Sequence, residues 1–304
     1  MTLAEAFEAF RPRLELAESY QRVVEARHSA VRSYLEGNLP GARTQLIGSL
    51  QRKTRINPPK GLEGFDIDIL VELGSFIRWL SPAEGGISCA AALEAGERAL
   101  ASNLIYRSKG IEEDRPAIIV PYTDGSYVEI VPAYRDRFPD HQPTGRAYLV
   151  PRTSRWVLAD YDFDAAAISE ANKNIGGRLI PCIKMLRAWR RNLAPALRTY
   201  HLEVLALSII PEVLKYFQTN NLDVSWPKLL ASFFTVGKEV IKQPAKIPGS
   251  LSEPADYYLT DAERNRLAEL MKVCGEAAAA SLQMNDTPAI ERWRKILGDP
   301  FPAA

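Results

Sequence analysis

Gly64-Phe65-Asp66-Ile67-Asp68-Ile69-Leu70-Val71-Glu72-Leu73 is the stretch on which the fold turns. Side chains on a strand alternate between two faces, so Phe65, Ile67, Ile69, Val71 and Leu73 form one apolar side while Asp66, Asp68 and Glu72 line the other. The run predicts a half-buried strand with a core face and an acidic face. Two neighbouring aspartates repel each other, and a cation between them removes that cost. Oxygen donors of this kind suit magnesium or manganese, which complete their shell with water and substrate phosphates. The pattern therefore points to nucleotide chemistry, although an Asp-x-Asp on an amphipathic strand is more often a solvated edge.

Two further segments favour the metal. Upstream stands Gly48-Ser49, followed by the cations Arg52 and Lys53 and then Thr54. Taken alone this is an ordinary turn, but a glycine also lets a backbone approach a phosphate, and a hydroxyl and cations add contacts. Downstream, Ala117 to Tyr122 and Tyr127 to Pro132 flank Thr123-Asp124-Gly125-Ser126, and an Asp-Gly turn between apolar runs predicts a hairpin. Glu129 then lies mid-strand, where an unpaired carboxylate is costly to bury. It reads as a third metal ligand, with Asp124 as the fallback.

Gly-Ser, then Asp-x-Asp on a strand, then a later acidic strand residue before Val-Pro-Ala is the order of the polymerase-β-like nucleotidyltransferases. More narrowly, the chain resembles the cGAS/DncV-like nucleotidyltransferases of bacterial antiphage signalling. The resemblance runs through Gly48-Ser49, Asp66-Ile-Asp68, Glu129 to Ala133, and Lys184 within Leu-Ile-Pro-Cys-Ile-Lys-Met-Leu-Arg-Ala-Trp. It continues through Thr199-Tyr200-His201-Leu202-Glu203 and closes with Trp293 to Pro302, covering nearly the whole chain. It implies an α+β fold: a nucleotidyltransferase core with a small mixed sheet over residues 1–163, and a helical lobe over 164–304, braced by a long N-terminal helix. It further implies that Lys184 and Thr199 touch the substrate triphosphate and that Tyr200 stacks on a base. The third carboxylate of this family is commonly Asp; Glu129 carries an extra methylene that shifts its oxygens.

A chain of 304 residues with 46% hydrophobic and 25% charged residues can bury a sizeable core and suggests two lobes. Its net charge of +1 argues against global binding of polyanions, so a nucleotide site has to come from charge placement. No stretch approaches the ~20 apolar residues that span a bilayer, and the acidic start does not resemble a signal peptide, which predicts a cytoplasmic protein without a membrane partner. Cys89, Cys182 and Cys274 are too scattered for a disulfide framework or a structural zinc, and nothing resembles the zinc insertion with which animal cyclic GMP-AMP synthase binds DNA, so activation by DNA is not expected.

In chain order, near-helical spacing from Thr2 to about Leu35 predicts an amphipathic helix interrupted or restarted at Pro12. Ser81 to Gly86 reads as a loop and Ala90 to Leu104 as a helix. Residues 132–163 look irregular, with Arg135, Arg137, Arg146, Arg152 and Arg155 among prolines, and read either as a connection closing over substrate or as a solvated loop. A helix from about Gly177 to Asn192 puts Lys184, Arg187 and Arg191 on one face. A helix over Leu202 to Ile210 is apolar on all sides, so Glu203 needs a buried partner and His201 reads as a core histidine; Thr199 could simply cap it. Thr260 and Glu263 form a capping box for a helix from Asp261 to Gln283. After a last helix from about Pro288 to Leu297, Asp299-Pro-Phe-Pro-Ala-Ala reads as an extended tail.

The resemblance implies an enzyme that converts nucleoside triphosphates, a purine among them, into a cyclic di- or trinucleotide messenger with release of pyrophosphate, for a downstream effector in antiphage defence. Mg²⁺, or Mn²⁺, would be held by Asp66, Asp68 and Glu129, with Gly48 and Ser49 on the phosphates. A ubiquitin-transfer-like partner could join the carboxylate of Ala304 to another molecule. The rival readings are a linear oligonucleotide synthase, a small-molecule nucleotidyltransferase and an inactive nucleotide-binding scaffold.

Overall fold

A computed structural model describes residues 1–58, 61, 64–73, 88–106, 117–137, 143–152 and 155–304. In chain order the elements are α1 (Leu3–Leu14), α2 (Glu18–Asn38), β1 (Arg43–Leu46), α3 (Gly48–Gln51), β2 (Asp66–Glu72), α4 (Cys89–Ala101), β3 (Ile118–Pro121) and β4 (Tyr127–Arg137). There follow β5 (Pro143–Arg152), β6 (Arg155–Ala159), α5 (Tyr161–Asn174), α6 (Leu179–Leu193), α7 (Thr199–Thr219), α8 (Trp226–Val240), α9 (Asp261–Ser281) and α10 (Asp286–Leu297). The fold is α+β, as expected. The loop expected at Ser81 to Gly86 lies outside the described residues.

The alternation in the opening stretch is realised side chain by side chain. Phe65, Ile67, Ile69, Val71 and Leu73 are buried, whereas Asp66, Asp68 and Glu72 are half-buried. Leu70, on the acidic side, is buried as well, in a second small core with Ile47, Ala133 and Tyr148. The mixed sheet runs β1-β2-β4-β5-β6, with β3 paired to β4. Among the described residues only the β2/β4 pair is parallel, and its crossover carries α4. The β3/β4 hairpin closes on Gly125, at φ +81°, and on Asp124, whose Oδ1 accepts from the Ser126 amide at 3.2 Å. The Asp124 carboxylate also pairs with Arg27 of α2 at 2.8 Å.

Residues 132–163, expected to be irregular, are mostly strand. β4 continues to Arg137, and β5 and β6 follow antiparallel. The prolines misled because Pro143 and Pro151 stand at the two ends of β5, where a missing N–H costs at most a terminal bond. Nor are Arg135, Arg152 and Arg155 simply solvated. Arg135 pairs with Glu72 at 3.1 Å, while Arg152 and Arg155 each reach Glu253 at 2.9 Å.

The N-terminal helix is two helices serving different cores. Phe7, Phe10 and Leu14 of α1 pack with Trp189, Trp293 and Phe301, whereas Val24, Val31 and Leu35 of α2 cover the apolar face of the sheet. Pro12 sits inside α1, and the break follows at Glu15–Ala17, where Asn57 donates its amide to the Leu14 carbonyl at 2.9 Å. The tail is docked rather than extended: Phe301 is buried with its ring 5.0 Å from Phe7 and 5.1 Å from Phe10, while Asp299, Ala303 and Ala304 are exposed. α7 likewise runs past its expected end, through Pro211 to Thr219. Ile209 and Ile210 before the proline, and Val213, Leu214 and Phe217 after it, are all buried, and that packing offsets the one lost hydrogen bond. The capping box at Thr260 and Glu263 is present as predicted.

His201 lies in this helical core, its Nδ1 3.2 Å from the hydroxyl of Tyr258. Burial pulls its pKa down to about 4, so it stays neutral where an exposed histidine would titrate.

Candidate active site

The carboxylates of Asp66, Asp68 and Glu129 converge, with one oxygen from each within 4.8 Å of the others. Two rules of strand geometry bring them together. Asp66 and Asp68 are two residues apart on β2 and so share a face, and the parallel register sets Glu129 of β4 directly beside Asp68. Three carboxylates this close repel unless cations lie among them. One cation belongs to the protein: Arg55 bonds Asp66 and stacks 3.9 Å from the ring centroid of Phe65, while its Nη1 donates to the Ser49 hydroxyl at 3.2 Å. Burial pushes the Asp66 carboxyl up, but the charge and hydrogen bond of Arg55, aided by Arg187, hold it below the usual range. The remaining charge and the all-oxygen donor set fit a divalent metal ion. The fallback ligand Asp124 is not among the three; it is engaged by Arg27.

Gly48 follows from the same crowding. It lies at φ +71°, and a Cβ there would stand 2.0 Å from Asp68 Oδ2. The clash falls on a carboxylate of the trio, and the positive φ disfavours any side chain at this position, so Gly48→Ala is expected to displace Asp68 or the Gly48 loop and reduce divalent-metal affinity at least tenfold. Calorimetric titration with Mn²⁺ checks this; affinity equal to the wild type would show that the loop yields without cost.

The trio opens onto a cleft of about 490 Å³ between the sheet and helices α5, α6 and α7. Seven arginines line it (Arg52, Arg55, Arg152, Arg187, Arg190, Arg191 and Arg198) against five carboxylates, those of Asp66, Asp68, Glu129, Asp164 and Glu253. A chain of nearly zero net charge thus concentrates cation where a polyphosphate would lie.

Seven of the eight site residues expected from the sequence line this cleft: Gly48, Ser49, Asp66, Asp68, Glu129, Thr199 and Tyr200. Lys184 does not. It lines a separate pocket between α1 and α6, its Nζ 2.5 Å from Glu15 Oε2. A helix rises 1.5 Å per residue, so Lys184 stands about 10 Å back from Arg191 on the same stripe, where α1 covers it. Arg187 and Arg191 are the members of that stripe that reach the cleft. Thr199 does not cap α7: it is the first helical residue, and Arg198 occupies the cap position. Tyr200 has the Arg52 guanidinium 5.1 Å from its ring centroid and donates its hydroxyl to Asp164 Oδ2 at 2.6 Å.

The partner of Glu203, which the sequence demanded without identifying, is a buried network. Glu203 is fully buried and accepts from Arg52 Nε at 2.5 Å, from Thr54 Oγ1 at 2.5 Å and from Arg187 Nη1 at 3.2 Å. It ties the segment after Gly48-Ser49 to both α6 and α7. Burial alone would lower the pKa of Arg52, but Glu203 more than offsets this and raises it. For Arg187, bonded at longer range and close to Arg52 and Arg55, burial prevails and the pKa falls to about 10, which leaves it a cation at neutral pH. The signal for this network was present in the sequence as Arg52-x-Thr54 and a glutamate in an apolar helix, but their pairing spans about half the chain.

A family profile described as the Second Messenger Oligonucleotide or Dinucleotide Synthetase domain matches residues 1–171. A probable cyclic nucleotide synthase of Bacillus cereus (strain VD146) is 24% identical over 284 residues, which is 84% of this chain and 81% of the relative. Among solved structures, CdnC of E. coli MS115-1, determined with ATP, superposes at a TM-score of 0.70 with 14% identity over 99% of each chain. The nucleotidyltransferase CdnG of Bradyrhizobium diazoefficiens, in complex with GTP, also reaches 0.70, with 15% identity over 98% of this chain and 95% of that one.

Proposed function

Since the chain belongs to the Second Messenger Oligonucleotide or Dinucleotide Synthetase family, and is thus a nucleotidyltransferase of the cGAS/DncV-like kind that makes cyclic oligonucleotides, we propose that its product is a cyclic di- or trinucleotide. It is formed from nucleoside triphosphates, at least one of them a purine, with release of pyrophosphate. The observation that carries this reading is the convergence of Asp66, Asp68 and Glu129 at one wall of an arginine-lined cleft. These three residues would hold Mg²⁺, or Mn²⁺, which when bound neutralises charge on the reacting α-phosphate and the departing pyrophosphate and acidifies the attacking ribose hydroxyl. The protein supplies position and charge. Gly48 leaves room beside Asp68, and the Ser49 hydroxyl and Arg187 stand ready for phosphate oxygens. Thr199 flanks the triphosphate, and the ring of Tyr200 offers a stacking surface, which is tolerant of base identity.

The messenger would act on a downstream effector in antiphage defence, in the cytoplasm. No described helix is long and apolar enough to cross a membrane. A ubiquitin-transfer-like partner acting at Ala304 belongs to the same reading; Ala304 is exposed.

Incubating the protein with each labelled triphosphate and Mg²⁺ tests the reaction. The expected product resists phosphatase, because a ring has no terminal phosphate, and disappears with EDTA. A phosphatase-sensitive oligomer would indicate a linear synthase. Transfer only to an added small molecule would indicate an adenylyltransferase-type enzyme, and binding without turnover a scaffold.

Lys184 is the informative control. Paired with Glu15 under α1, further back along α6, it is expected to leave the triphosphate KM within about twofold when replaced in Lys184→Ala, since a partly exposed ion pair is worth at most ~1 kcal/mol and touches no phosphate. A tenfold rise in KM would return Lys184 to the triphosphate.

A further inference from the structure

Asp164, in the first turn of α5, lines the cleft yet is only 3% exposed. Its two oxygens are used unequally. Oδ2 accepts from the Tyr200 hydroxyl at 2.6 Å and from Ser252 Oγ at 2.9 Å. Oδ1 has no hydrogen-bond partner among the described residues. Buried polar atoms are almost always paired, and an unpaired carboxylate oxygen is among the costlier exceptions. Rotation would not relieve it, because two donors already hold Oδ2. Ser252 is itself fixed by the Asp160 amide, which donates to Ser252 Oγ at 2.8 Å. The carboxylate is therefore locked with one buried acceptor unpaired, in a residue that lines the cleft.

The tether to Tyr200 indicates what that acceptor is for. A hydroxyl lies at the rim of its ring, so a carboxylate bonded to it sits beyond the edge of the ring. A base stacked on the ring face would then bring its own edge towards that carboxylate. On the reading given under Proposed function, we propose that Asp164 selects the base: its Oδ1 accepts an N–H from the edge of the nucleobase held at Tyr200. Adenine and cytosine offer an exocyclic amine there, guanine an amine and a ring N–H, and uracil a ring N–H, so the residue favours whichever base presents its donor at this one point.

Asp164→Asn inverts the site at constant volume. Two hydroxyl donors face the former Oδ2, so the amide must turn its oxygen to them, and its NH₂ takes the place of Oδ1 and opposes the N–H of the base. Binding is measured calorimetrically, with Ca²⁺ to prevent turnover, for ATP, GTP, CTP and UTP, for their 2′- and 3′-deoxy forms, and for inorganic tripolyphosphate. The expected result is a 10- to 100-fold weakening of the triphosphate that the wild type prefers, a flattened ranking of the four bases, and unchanged tripolyphosphate affinity. An unchanged ranking overturns the proposal. So does an equal loss that includes tripolyphosphate, which would assign Asp164 to the fold, and so does a penalty that vanishes with a deoxy form, which would assign Oδ1 to a ribose hydroxyl. Wild-type protein that binds none of the triphosphates overturns the functional reading, and this inference with it.

Discussion

Asp68→Asn and Glu129→Gln are each expected to reduce nucleotide transfer at least about a thousandfold, equivalent to about 4 kcal/mol of transition-state stabilisation at 1.36 kcal/mol per decade. Each change keeps the volume and removes one of three charges whose oxygens lie within 4.8 Å of one another. The fold has little reason to suffer, because the apolar face of β2 and the β2/β4 register do not depend on either charge. Asp66→Asn should be equally inactive but also lower Tm, since it leaves Arg55, with a side chain 10% exposed, without its carboxylate. Glu129→Asp should stay active, its shorter arm altering metal preference. Steady-state rates, thermal melts and Mn²⁺ titration separate these effects. More than a tenth of wild-type activity in Asp68→Asn would remove Asp68 from the metal site.

The largest effect on stability is expected at Glu203. Replacing it by alanine leaves Arg52 and Arg187 buried without their counter-charge and Thr54 without its acceptor. Breaking one partner of a buried ion pair costs about 3 to 5 kcal/mol. For a chain of this length unfolding as one unit, that is a fall in Tm of roughly 5 to 8 °C. Glu203→Gln keeps an acceptor for Thr54 but not the charge and should fall in between. Because the network joins the segment after Gly48-Ser49 to α6 and α7, triphosphate affinity should weaken in step with Tm across this pair of variants. A melt within 1 °C of wild type for Glu203→Ala would mean that the arginines find other carboxylates, with Asp66 the nearest candidate for Arg187.

By itself the sequence determined what depends on near neighbours. Period-two alternation identified β2 and its acidic face, because the pleat depends only on positions within the strand. The Asp124-Gly125 hairpin and the Thr260 capping box were legible for the same reason, whereas the helix break expected at Pro12 falls at Glu15–Ala17. The candidate site was legible through Gly48-Ser49, Asp66, Asp68, Glu129, Thr199 and Tyr200, all of which line the cleft.

What only the tertiary structure decided is whatever depends on how distant elements dock. Periodicity placed Lys184, Arg187 and Arg191 on one stripe of α6, yet α1 covers the first while the other two face the cleft. Helical spacing sets angle and rise; the neighbouring helix decides which part of a stripe is open. The prolines of β5 made the segment read as irregular, because their harmlessness depends on sitting at the ends of a strand paired on both sides. Glu203 announced a need for a partner, but Arg52 stands 151 residues away, and only the packing of α7 against the segment after α3 closes that distance. The locked carboxylate of Asp164 was invisible for the same reason, since Tyr200 and Ser252 reach it from elements 36 and 88 residues further along the chain.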